Sequence, residues 1–346
     1  MDSLTLPLPS SLRSKLLEAG FANTSAFQHL TPLQLARDAN ISHQEALAIL
    51  KTVSWMNCAD QYSKEEDILS SAKTAWDLLC YEKSRKKLRT CCSELDTVLG
   101  GGFKPKELTE ICGVPGVGKT QLGMQLSINV QIPSEFGGLG GQAVYIDTEG
   151  SFMVERALQM AESMIDYLKY ATSSCESTVG LGMSLNVDTF LSHIFYYRVY
   201  DCTEQLAVVN SLEEFLKEHR EVRLIVIDSV TFHFRQDFQD WALRTRLLNG
   251  MAQKLMGLAQ KHDVVVVLVN QVTTKTNGEI VPALGESWSH TCTNRLILSW
   301  SNGCRQVHIF KSPSLPAATA SFAVSADGIR DVESSKRIKL CTISSP

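Results

Sequence analysis

Gly113-Val114-Pro115-Gly116-Val117-Gly118-Lys119-Thr120 decides how this chain is read. The stretch has the form G-x-x-x-x-G-K-[ST] without a substitution. Ahead of it, Glu107-Leu108-Thr109-Glu110-Ile111-Cys112 reads as a short strand. Behind it, Leu122, Gln125, Leu126 and Val130 fall at helical spacing. Strand, glycine loop and helix are the setting in which the motif has a mechanism. The glycines let backbone N–H groups turn inward around phosphate oxygens. The helix start aims its positive end at the same anion. Lys119 can reach the β- and γ-phosphates, and the Thr120 hydroxyl can ligate Mg²⁺. Gly113, Val114, Pro115, Gly116, Val117, Gly118, Lys119, Thr120 and the following Gln121 are therefore the expected lining of a site for ATP with Mg²⁺.

From Leu95 onward, strand and helix patterns alternate. Gln142 to Asp147, His193 to Arg198, Leu224 to Asp228 and Val264 to Gln271 read as strands, and Leu243 to Lys261 as a long helix. Continuous apolar strands between helices imply a mostly parallel sheet covered on both faces. Asn294 to Trp300, Cys304 to Lys311 and Ser321 to Val324 read as shorter, antiparallel additions to it. In such a sheet, ligands bind beyond the carboxyl ends of the strands, where acids and amides fall here. Asp228, after four aliphatic residues, is placed to hold Mg²⁺ directly or through water. Of Asp147 and Glu149 in Asp147-Thr148-Glu149-Gly150, Glu149 lies further out of its strand. It is the better candidate to orient and polarise a water for attack on the γ-phosphate. Asn270-Gln271 ends another strand, where an amide can contact the γ-phosphate and report its loss to the next loop.

Residues 1–58 read as a small helical domain: a helix ended by Gly20, a helix started by Thr31-Pro32, and a capping box Ser42-His43-Gln44-Glu45. The pattern fits a helix-hairpin-helix module that touches a phosphate backbone, or a small bundle that docks to a protein. Residues 59–92 read as a linker with a helix near Ala72 to Tyr81. Its basic run Lys83 to Arg89 reads as a solvated segment or as a DNA or import element. Residues 93–332 form the nucleotide domain. Residues 333–346 are a tail whose Ser334 to Leu340 is either an import signal or a frayed terminus.

At 346 residues and a net charge of −4, the chain is not basic overall, so any nucleic-acid contact must come from local patches. No apolar run is long enough to span a bilayer, so no membrane role is expected. Ten cysteines are scattered without a C-x-x-C pair, which points to reduced thiols rather than a zinc site.

GVPGVGKT, YIDTEGSF, LIVIDS and LVNQV, in this order, resemble the RecA/RadA family of recombination ATPases. The helical N-terminal domain, ELDTVLGGG at Glu94 to Gly102 and PALGESWSH at Pro282 to His290 resemble its eukaryotic paralogues, the C branch most of all. The resemblance covers roughly residues 10–330. It implies a RecA-like P-loop α/β core with a helix-hairpin-helix-like N-terminal domain. It implies that Lys119 and Thr120 hold phosphate and Mg²⁺, that Asp228 is the acid of the second nucleotide motif, that Glu149 activates water and that Gln271 senses the γ-phosphate. Arg156 would lie against the adenine base, and Pro282 near a neighbouring subunit's nucleotide. Two segments, Phe234 to Trp241 and Thr273 to Glu286, match DNA-facing loops, and they offer Arg235 and Lys275. Three departures stand out. The first loop is short and carries Phe238 in place of an aromatic alcohol. Thr276 replaces an apolar wedge. The linker has no Phe-x-x-Ala hook.

The resemblance implies a slow, DNA-dependent ATPase that binds single-stranded and branched DNA in the nucleus, with a cytoplasmic pool. Its partners would be other recombinase paralogue subunits and the main recombinase filament, in repair of double-strand breaks. Two other readings stay open: an assembly protein for which ATP is a structural ligand, and a ring helicase on the same core.

Overall fold

The computed structural model describes residues 10–21, 27, 30–47, 49–50, 74–173, 186–236, 238, 240–275 and 280–332. Chain contacts divide it into two units, Met1–Arg85 and Lys86–Pro346. In the first, α1 (Ser10–Glu18) is followed by Gly20 at φ +84°, a left-handed value that glycine adopts without strain. α2 (Pro32–Asp38) starts with Pro32 in its first turn, and Thr31 and Gln34 close a capping box over it. Ser42 and Glu45 form the second box, at 2.8 and 3.2 Å. Leu16, Leu35, Ala39, Ile41, Ala46 and Ile49 bury together as the core of this unit. The helix expected near Ala72 is α3 (Ala75–Ser84), begun by a capping box of Thr74 with Asp77.

The second unit is built on one nine-stranded sheet in the order β11-β10-β9-β8-β1-β5-β4-β2-β3. Its strands are β1 (Leu108–Gly113), β2 (Gln142–Asp147), β3 (Ile194–Arg198), β4 (Val222–Asp228), β5 (Val265–Asn270), β8 (Asn294–Ser301), β9 (Cys304–Lys311), β10 (Thr319–Ser325) and β11 (Gly328–Arg330). A separate ribbon pairs β6 (Val272–Thr274) with β7 (Ile280–Pro282). The pairs from β8 through β1, β5, β4 and β2 to β3 are parallel, and β9, β10 and β11 extend the sheet antiparallel.

β1 and β5 are buried at every position because helices cover both faces. On one face, Leu122 and Leu126 of α5 (Lys119–Asn129) and Met160, Met164 and Leu168 of α6 (Val154–Ser173) pack with Ile111, Val226 and Val267. On the other, residues of α8 (Cys202–Glu218), α10 (Trp241–His262) and α11 (Gly285–Ser289) pack with Val144, Ile227 and Val266. Among the described residues, no helix is long and apolar enough to cross a membrane.

The segment 86–92, read from sequence as the end of a linker, packs with the core instead. Leu88 and Phe103 bridge antiparallel, and Leu88 and Cys92 are buried. A Cβ at Gly102 would meet the Leu88 carbonyl oxygen, which explains a glycine at φ +124° there. β11 was not foreseen either. The tail from 333 on, with Ser334 to Leu340, lies outside the described residues.

In α4 (Ser93–Val98), burial pushes the Asp96 carboxyl up to about 6, against two hydrogen bonds from Thr90 that favour the charged form. The folded state therefore holds this proton more tightly than the unfolded chain. The resulting stabilisation is complete below the unfolded value of 3.8 and is lost as pH rises through about 6. Asp96→Asn keeps an acceptor for Thr90. Its melting temperature, followed by circular dichroism, is expected to change less than the wild type's between about pH 4 and 6.

Candidate active site

The parallel strands all deliver their carboxyl ends to one edge. Asp147 lies beside Asp228, Asp228 beside Val269, and Cys112 beside Asn270. The chain leaves β1 through the glycine loop and enters α5 directly. Gly116 at φ +76° and Gly118 at φ +109° supply the left-handed backbone that folds this loop. At Gly113 the space is closed on the other side: a Cβ would sit 2.7 Å from the Leu298 carbonyl oxygen.

Lys119 Nζ donates to the Gly113 and Val114 carbonyl oxygens at 2.8 and 3.0 Å, so the side chain folds back over its own loop. Burial lowers its pKa, and the carboxylates of Asp228 and Glu149 counter that shift. Asp228 is buried and accepts from Tyr145 Oη at 2.8 Å. Burial pushes its carboxyl up to about 6, and the Thr120 and Tyr145 hydrogen bonds work the other way. The Thr120 hydroxyl and the Asp228 carboxylate, near enough for one to shift the other's pKa, are hard oxygen donors at the foot of the phosphate loop. They fit Mg²⁺ completed by phosphate oxygens and water. Among the described residues, no group of three or more histidine, cysteine or acidic side chains could hold a metal unaided.

The two acids at the end of β2, Asp147 within it and Glu149 just beyond, differ in their surroundings. Asp147 is buried and accepts the backbone N–H groups of Glu149, Gly150, Ser151 and Phe152 at 2.7–3.2 Å. Tyr196 Oη donates to it as well, at 3.1 Å. Asp147 thus ties the turn that presents Glu149. Glu149 Oε1 accepts from Ser229 Oγ at 2.6 Å and from Gln271 Nε2 at 2.7 Å. Gln271 Oε1 in turn accepts from Arg235 at 2.7 Å. The ends of β2, β4 and β5 and the short helix α9 (Phe232–Gln236) are joined by one line of side chains.

Arg156 and Gln121 also come together, 2.7 Å apart. The same guanidinium donates to Gln159 and to the Ser325 and Ala326 carbonyl oxygens, which fixes its plane beside the β10–β11 turn. Lys275 is exposed after β6, and Pro282 pairs with Val272 in the ribbon. Phe238 is half-buried and stacks on Phe234, with ring centroids 5.5 Å apart. Thr276 lies outside the described residues.

Sequence reasoning missed Tyr145 and Ser229, although both stand in quoted stretches, YIDTEGSF and LIVIDS. Tyr145 precedes Asp147 by two residues, so the two share a strand face, and Ser229 follows Asp228. It also missed a buried centre beneath the loop. Glu110 accepts from Asn270 at 2.5 Å, from Trp288 Nε1 at 2.8 Å and from Arg295 at 2.5 Å. The Asn270 amide also donates to the Ala283 carbonyl oxygen. This centre fastens β1, β5, β8 and α11 to one another.

A family model described as Rad51 matches residues 83–332. The chain is 42% identical over 336 residues to a protein of Cricetulus griseus named DNA repair protein RAD51 homolog 3, covering 95% of this chain and 92% of that one. It is 43% identical over 265 residues to the Dictyostelium discoideum protein of the same name, covering 75% of this chain and 69% of that one.

Proposed function

From the membership of this chain in the Rad51 family, we propose that it is an ATP-dependent DNA-binding subunit acting in homologous recombination and DNA repair, double-strand breaks included. The family reading supports nucleotide binding and a role in DNA repair. The observation that carries the finer reading is the joining of Glu149, Gln271 and Arg235 at the mouth of the Lys119 loop. In this reading Lys119 and the loop N–H groups hold the triphosphate of ATP, and Thr120 and Asp228 hold Mg²⁺, which offsets phosphate charge. Glu149 takes a proton from the attacking water, held in reach by Ser229 and Gln271. Arg156 flanks the base. Arg235 and Lys275 face DNA. Occupancy orders the loops, and hydrolysis releases them. The partners are other recombinase paralogues and the main recombinase filament, and the compartment is the nucleus.

The departures at Phe238 and Thr276, and the missing linker hook, favour work with different partners over a homopolymer. They keep the second reading alive: an assembly subunit stabilised by ATP, with turnover incidental. Glu149→Gln separates the two. It is expected to retain ATP while phosphate release falls by about 10²- to 10⁴-fold, as measured in single-turnover assays. Unchanged release would remove Glu149 from the reaction. If such a variant fully restored repair in cells lacking the wild-type protein, the assembly reading would stand instead.

A further inference from the structure

A cavity of about 90 Å³ lies at the end of α5 opposite the glycine loop, between the segment 87–91, the loop after α5 and β11. Leu88, Ile132, Phe136 and Leu139 give it apolar walls. Arg330 of β11 also lines it, with 6% of its surface exposed. Two of the five guanidinium N–H groups are taken, by the Ile329 carbonyl oxygen at 2.7 Å and the Ser163 hydroxyl at 3.1 Å. The other three find no acceptor, and the charge no carboxylate partner, among the described residues. A guanidinium at this depth ordinarily has an anion beside it. The two acids of the cavity are engaged elsewhere. Asp331 accepts from Ser93 Oγ, Cys92 Sγ and the Glu94 N–H, and Asp96 Oδ1 accepts twice from Thr90. Lys87 and Arg89 line the cavity as well, so its cations outnumber its acids. Burial pushes the Cys91 thiol up to about 11, so it faces the cavity as a neutral S–H.

We propose that this cavity is a binding site for a short aliphatic carboxylate. The carboxylate would take the open N–H groups of Arg330, whose planar fork matches two oxygens, and the alkyl end would lie on Leu88, Ile132 and Leu139. Volume limits the class. A cavity of about 150 Å³ takes benzene, so nucleotides, sugar phosphates and aromatic acids are too large. The apolar walls choose within it. An oxyanion charged on every side, such as phosphate, would press unpaired oxygens against carbon. Water is the competing occupant. It would satisfy the N–H groups but leave the charge uncompensated. Neither nucleotide nor DNA takes part at this site.

Melting of the full chain without nucleotide, followed by circular dichroism in sodium propionate or in sodium chloride of equal ionic strength, reads this site. Propionate is expected to raise the midpoint saturably, with half-saturation on the order of millimolar, the range open to a ligand of few atoms. Sodium phosphate and n-propylammonium chloride should give no saturable rise. Arg330→Lys keeps a cation but loses the fork, and should weaken propionate binding at least about tenfold. Leu139→Phe fills the apolar end with Arg330 untouched, and should weaken it by about as much. A wild-type midpoint that responds alike to propionate and chloride means that water alone fills the cavity, and the site is overturned. A saturable rise with phosphate as large as with propionate overturns the carboxylate assignment. A propionate rise that survives in both variants puts the ligand elsewhere on the chain and overturns the site equally.

Discussion

Lys119→Ala is expected to abolish retention of magnesium–ATP, and with it every association that depends on the nucleotide. In the structure the ammonium is held at the carbonyl oxygens of Gly113, the last residue of β1, and of Val114 just after it, within the field of Asp228 and Glu149. It is the cation of the glycine loop. A charge-assisted bond from a partly desolvated lysine to phosphate is among the stronger polar contacts. Its removal should weaken nucleotide binding at least about a hundredfold. Thermal shift gives a direct reading, since ligand at about 100 times Kd raises wild-type stability by about 2.7 kcal/mol. The variant should show almost none of this, while melting like wild type without nucleotide. A variant that keeps the full shift would mean that the glycine loop is not where the triphosphate sits.

Glu110→Ala should give the largest loss of stability. It strips three donors of one carboxylate and leaves Arg295, 4% exposed, as a buried charge without its partner. Breaking a buried pair in this way costs about 3–5 kcal/mol. In a unit of this size that lowers the melting temperature by roughly 10 °C. Glu110→Gln retains an acceptor for Trp288 and should lose less. Trp288 and Ala283 follow the β6–β7 ribbon, so the alanine variant should also loosen β7 and the turn after it, Ile280 to Leu284. Faster amide exchange there would register that effect.

Much of this was open to view in the sequence, for identifiable reasons. Apolar runs such as Val264 to Leu268 mark strands covered on both sides, and Asp228 at the end of such a run had few places to go. The glycine loop carried its own mechanism. Glu110 was hidden by the same logic. In a short run with acids at 107 and 110, nothing local says that β1 lies in the middle of the sheet. Its partners at 288 and 295 are far along the chain. The boundary before 93 was missed because burial of Leu88 and Cys92 depends on Phe103 and on the far C-terminal strands, whereas the basic residues around them signal solvent. The choice of Glu149 over Asp147 followed from reach alone. In the structure Asp147 accepts four backbone N–H groups, whereas Glu149 accepts from Ser229 and Gln271.

The line from Ser229 through Glu149 and Gln271 to Arg235 has a thermodynamic corollary. Gln271 owns one carbonyl and one amide, and both are already spoken for. An anion that draws the amide toward the loop weakens its hold on Glu149, and a polyanion that draws Arg235 outward frees the carbonyl. Two ligands that tug on opposite ends of one glutamine cannot be indifferent to each other. Under the function proposed above, linkage makes the traffic symmetrical: whatever factor nucleotide imposes on strand affinity, the strand returns in nucleotide affinity. A Gln271→Ala chain should bind each ligand without regard to whether the other is present.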